Sequence, residues 1–127
     1  MLHRMARVLE DMPGLIAAIL YGSAAEGLPF RDLDVALVVD RKTHPPDGDW
    51  DLVNRVADRL EKGVPFPVDV HVVNEAPAPL RYNVTRGRPF LVQDLDAWYD
   101  FVERSWDLYF DFEPFARQYL EGMAEER

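Results

Sequence analysis

Apolar positions along the chain alternate between helical and strand spacing. Leu2, Met5, Ala6, Leu9 and Met12 recur as one helical face, and Pro13-Gly14 stops that element. Leu15–Tyr21 is a short apolar run between turn signals and reads as a buried strand. Its two alanines make a helix the competing reading. Small residues follow from Gly22 to Gly27, and 28–31 is a connection. Asp32–Val39 reads as a second strand, with Leu33, Val35, Leu37 and Val39 on one face and Asp34, Ala36 and Val38 on the other. Its second half is apolar on both faces, as in a central strand covered from both sides.

The segment His44-Pro45-Pro46-Asp47-Gly48 is a loop, after which Asp49 is placed to cap a helix. Val53, Val56, Ala57 and Leu60 form the apolar face of that helix, and Gly63 marks its end. Phe66–Val73 predicts a third strand, in which Val68, Val70 and Val72 share one face and Asp69, His71 and Val73 the other. Pro77-Ala78-Pro79 opens a short helix ending before Gly87, and Phe90-Leu91-Val92 predicts a fourth strand. From Asp96 the spacing of Trp98, Val102, Trp106 and Tyr109 is helical, continued by Phe115, Tyr119, Leu120 and Met123. Pro114 predicts a kink or two helices near 111–114. The order α-β-β-α-β-α-β-α predicts a single α/β domain over residues 1–127.

The 127 residues include 23 acidic and 14 basic side chains, a net charge of −9. That balance argues against direct nucleic-acid binding, which needs cations to displace counterions, and against an anionic membrane surface. The absence of cysteine excludes disulfides and thiolate metal sites. The apolar runs are far shorter than a membrane span of ~20 residues, and the first seven residues carry no secretory apolar core. The expectation is a cytoplasmic protein.

Three carboxylates stand out by position. Asp32 and Asp34 are two apart at the start of a strand, so both leave one face, and Asp69 lies near the start of a strand otherwise made of valines. If those strands are neighbours, the three acids converge on one sheet edge, where they repel unless a cation neutralises them. Oxygen-only donors suit Mg²⁺, whose coordination is completed by water and substrate phosphates. Gly22-Ser23 directly follows the first strand; glycine admits a phosphate to backbone N–H groups and serine adds a donor. A phosphate cradle with a carboxylate set for magnesium is a combination suited to nucleotidyl transfer. Each piece alone has a plainer reading: Asp32 as a turn residue, Gly22-Ser23 as an ordinary strand-to-helix turn, and Asp69 as a solvent-facing strand residue. The order and spacing of all of them favour the functional reading.

The stretch Tyr21–Val39, containing Gly22-Ser23, eight residues, and Asp32-Leu33-Asp34, resembles the signature of the polymerase-beta-type nucleotidyltransferases. The chain's size, Val68-Asp69-Val70, Ala76–Arg81 and Tyr109–Pro114 resemble the minimal, MNT or MntA-type branch. The resemblance implies a mixed β-sheet flanked by helices with a C-terminal helical segment. It further implies Asp32 and Asp34 as ligands of two Mg²⁺ ions, and Gly22 and Ser23 as holders of the triphosphate. Asp69 would complete one metal site and favour deprotonation of the attacking hydroxyl. Members of this branch pair with HEPN-type ribonuclease toxins and transfer AMP from ATP to a toxin tyrosine. The implied partners are therefore a HEPN toxin and a nucleoside triphosphate. Glu26 stands where the family often has a base, which favours a rival reading as a non-catalytic, binding antitoxin. Transfer to a small molecule, as in aminoglycoside-modifying relatives, is a further alternative.

Among other residues, His71 shares a face with Asp69 and reads foremost as a hydrogen-bonded sheet residue, with contact to the site as the alternative. His3 and His44 have no ligand spacing around them. Arg81, Arg86 and Arg88 flank the short helix and read mainly as solvated surface, although one of them is placed to reach a triphosphate. The aromatic tail, from Trp98 to Tyr119, reads mostly as core packing, with a remainder left to form a patch for a partner.

Overall fold

A computed structural model describes the backbone of residues 1–125 and the side chains of residues 1–111. Helix α1 spans Leu2–Leu9, strand β1 Leu15–Tyr21 and β2 Leu33–Val39. A single 3-10 turn at Pro46–Gly48 leads into α2, Asp49–Glu61. Then follow β3, Val68–Val72; α3, Ala78–Thr85; β4, Arg88–Val92; and α4, Leu95–Glu125. The strands form one mixed sheet in the order β3-β2-β1-β4. β1 is antiparallel to both β2 and β4, whereas β2 and β3 are parallel. That parallel pair needs a crossover, which α2 supplies.

The alternation in the central strands divides the core in two. Ala18, Leu20, Leu33, Val35, Leu37 and Val39 pack with Met5 and Leu9 of α1 and Leu52, Val56 and Leu60 of α2. On the other face Ala17, Ile19, Ala36 and Val38 pack with Val84 of α3 and Trp98 and Phe101 of α4. Each fully buried Leu or Val contributes about 1.5–3 kcal/mol, which is why β1 and β2 are apolar on both sides. Ladder partners on either side of β1 settle the competing helical reading of Leu15–Tyr21 in favour of a strand.

Several local expectations are corrected. Asp49 is the first residue of α2 rather than its cap. Its carboxylate accepts two hydrogen bonds from Arg41, Nη1 to Oδ1 at 2.7 Å and Nη2 to Oδ2 at 3.0 Å. Arg41 also binds Glu75, so one guanidinium ties the end of β2 to α2 and to the loop after β3. Helix α4 continues through Pro114 as one element rather than dividing in two; a proline removes one N–H donor, and a helix can continue past that loss. In the aromatic tail Trp98 and Phe101 are core, but Trp106 and Phe110 are exposed. Phe112, Phe115 and Tyr119 lie outside the described side chains. Arg81 is not solvated surface: its Nε donates to Ser105 Oγ at 3.0 Å and its Nη1 to the Asn74 carbonyl at 3.1 Å. No helix among the described residues is long and apolar enough to cross a membrane.

Candidate active site

The register of the sheet aligns the candidate residues. Asp34 of β2 pairs with Asp69 of β3 on one side and with Tyr21 of β1 on the other. Leu20 of β1 pairs with Arg88, the first residue of β4. Asp69, Asp34, the Tyr21-Gly22 junction and Gly87 therefore occupy one end of four consecutive strands, about 4.8 Å apart from strand to strand. By alternation Asp34 and Asp69 share the face that Ala36 and Val38 present to α3 and α4. They lie one pleat beyond that apolar cover, which leaves Asp69 exposed and Asp34 half-buried.

The electrostatics follow from this placement. Partial burial, with the Asp69 and Asp32 charges, raises the Asp34 carboxyl above the usual carboxylate range, while His71 opposes the shift. The Tyr21 hydroxyl is pushed up to about 12, first by burial and then by Asp34 and Asp69. His71 Nε2 lies 3.0 Å from Asp69 Oδ2, so one Asp69 oxygen is held. Asp32 is exposed and precedes β2 by one residue; it belongs to the cluster through its charge on Asp34.

Gly22 has φ +74°. A Cβ there would stand 2.5 Å from Asp34 Oδ2, so the turn after β1 presses directly on the carboxylate. The turn itself is held by Ala25 N–H and Glu26 N–H donating to the Gly22 carbonyl at 3.1 and 3.3 Å. Beside it opens a cleft of about 290 Å³ lined by Tyr21, Gly22, Ser23, Ala25 and Glu26 on one side and Asn83, Arg86 and Gly87 on the other. Gly22 and Ser23, the candidate phosphate-binding residues, thus line a cavity. Asn83 and Gly87 were not foreseen as part of it. Gly87 reads in sequence as a helix-ending glycine, yet a Cβ there would come within 2.5 Å of the Leu20 carbonyl oxygen.

A larger groove, about 710 Å³, lies between α1 and α2 and contains none of the candidate residues. Among the described residues no preassembled cluster of three or more metal-ligating side chains is present. The donor chemistry still fits Mg²⁺, which binds through one or two carboxylates together with water and substrate phosphate.

The four-stranded mixed sheet with helices on both faces is the fold of the polymerase-beta-like nucleotidyltransferases. The family pattern described as "Polymerase beta, Nucleotidyltransferase" matches residues 4–96, and the chain belongs to that family. A chain of the crystal structure of a toxin–antitoxin with AMP-PNP superposes with a TM-score of 0.71 at 21% identity, covering 97% of this chain and 98% of that one. A chain of the toxin–antitoxin MntA–HepT gives 0.66 at 18% identity, covering 97% and 96%. A chain of the complex between tri-AMPylated Shewanella oneidensis HEPN toxin and MNT antitoxin gives 0.67 at 20% identity, covering 97% and 95%. At these identities the likeness is one of fold. Among curated proteins none matches this chain in sequence.

Proposed function

We propose that this protein is an antitoxin that transfers AMP from ATP to a tyrosine hydroxyl of a partner HEPN toxin. The observation that carries the reading is the contact of Gly22 with the Asp34 carboxylate, with Asp69 in register beside it. It makes a backbone turn suited to phosphate contiguous with acids suited to an attacking hydroxyl. The neighbours described above, one holding AMP-PNP and one an AMPylated HEPN toxin, support the nucleotide and the acceptor class.

In this reading Gly22 and Ser23 bind phosphate oxygens through backbone N–H groups and the serine hydroxyl. Asp69, with one oxygen turned to His71, takes the proton of the acceptor hydroxyl through the other. The acceptor oxygen bonds to the α-phosphorus, the bridge from that phosphorus to the β-phosphate breaks, and pyrophosphate leaves with the bridging oxygen and its electron pair. Asp32, Asp34 and Asp69 would hold magnesium, which when bound supplies positive charge to the phosphates and lowers the repulsion among the three acids.

Incubation with ATP labelled at the α-phosphate, Mg²⁺ and a HEPN partner should move label to the partner. Absence of label with a partner that the protein nevertheless neutralises would establish the second reading, a binding antitoxin. Glu26, which brings negative charge to the phosphate cleft, is the feature favouring that alternative.

A further inference from the structure

The cleft beside Gly22 and Ser23 carries two opposed charges. Glu26 comes from the turn after β1, and Arg86 comes from the end of α3. A polyphosphate entering this space is repelled by Glu26, and Arg86 is the one cation among the lining residues. No ion pair among the described residues joins Arg86 to Glu26 or to any other acid. Among the described residues its guanidinium donors are therefore not committed to a carboxylate.

Packing fixes where the backbone of Arg86 sits. Its backbone N–H closes α3 on the Asn83 carbonyl, at 3.2 Å. The next residue, Gly87, lies so close to the Leu20 carbonyl that no side chain fits between them, which pins the α3–β4 turn against the end of β1. The guanidinium carbon lies 5.8 Å from the centroid of the Tyr82 ring, and that ring stacks on Tyr109 at 3.9 Å. Trp106 Nε1 donates to Thr85 Oγ1 at 2.9 Å and braces the same turn on α4.

Position along the sheet edge decides which phosphates Arg86 can meet. The strand ends run Asp69, Asp34, Gly22, Gly87, from β3 to β4. A nucleotide whose reacting phosphorus lies by the carboxylates extends its other two phosphates past Gly22-Ser23 toward β4. We propose that Arg86 binds the β- and γ-phosphates of the nucleotide across the cleft from Glu26, and that this pair sets how tightly the donor is held. The proposal rests on the nucleotidyltransferase reading above and adds to it the two residues that govern nucleotide affinity in this chain.

Titration calorimetry with ATP and with AMP, both with Mg²⁺, tests it. Arg86→Ala should weaken ATP about 10- to 100-fold, the usual range for hydrogen bonds to charged groups, and leave AMP within about 2-fold, since AMP lacks the phosphates concerned. Arg86→Gln, which keeps much of the stem over Tyr82, should lose affinity similarly, so that the loss cannot be assigned to lost packing. Glu26→Gln should tighten ATP, and Glu26→Arg placed in the Arg86→Ala background should restore much of it. Unchanged ATP affinity in Arg86→Ala, or an equal loss for ATP and AMP, overturns the role of Arg86. Wild-type protein that binds neither nucleotide overturns the nucleotidyltransferase reading itself, and this assignment with it.

Discussion

Replacing Gly22 by alanine tests whether the proposed phosphate turn and the carboxylate pair are one unit. Two costs are separable. Alanine at φ +74° costs about 1–2 kcal/mol in backbone strain. The new Cβ also falls 2.5 Å from Asp34 Oδ2, where an ordinary contact is about 3.4 Å, so the oxygen must retreat by about 0.9 Å. Because that oxygen ends a rotatable side chain, the retreat adds little to the stability cost. Its effect falls on chemistry, where a misplacement near 1 Å can cost ~10²-fold in rate. Gly27 is the internal control: it has φ +75° and nothing within 4 Å of an added Cβ. Chemical denaturation should therefore show Gly22→Ala and Gly27→Ala losing similar stability, while label transfer to the HEPN partner falls ~10²-fold only in Gly22→Ala. A Gly22→Ala protein that transfers label as fast as Gly27→Ala would refute the coupling of the turn to Asp34.

Asp69→Asn should retain ATP binding by calorimetry and lose about 10²–10⁴-fold in transfer, the scale of proton transfer to a positioned base; an equal loss of both would place Asp69 in binding instead. Because the folded state holds the Asp34 proton more tightly than the unfolded chain does, this group's contribution to stability is full below its unfolded pKa and is lost as pH rises through its folded value. Asp34→Asn should accordingly raise stability slightly at neutral pH and flatten the acid side of a denaturation–pH profile. Asn74→Ala should cost about 1–3 kcal/mol in thermal unfolding, since the Asn74 side chain accepts from Val39 N–H at 2.9 Å and donates to the Val39 carbonyl at 2.7 Å, and alanine leaves both unpaired.

Hydrophobic period and turn chemistry by themselves determined the element order, because each strand and helix buries a face that only its own spacing can supply. The alternation in Leu33–Val39 and Val68–Val73 placed Asp34 and Asp69 on like faces before any pairing was known. Gly22-Ser23 stood out as a candidate phosphate turn because glycine and serine have a specific chemical use in such turns. What the sequence left open were the distances that depend on segments remote in the chain. Parallel pairing of β2 with β3 aligns Asp34 with Asp69, and it exists only once α2 has packed as the crossover between them. No local pattern marks Arg41, to which only the fold brings Asp49 and Glu75. Arg86 read mainly as solvated surface and is exposed; the role proposed for it depends on Gly87 closing onto Leu20, a contact across the β1–β4 pair that no local pattern encodes. Local spacing fixes which way a side chain points along its own element, whereas its neighbours from other elements are chosen by burial of the sheet's two apolar faces, which only the assembled tertiary structure can satisfy.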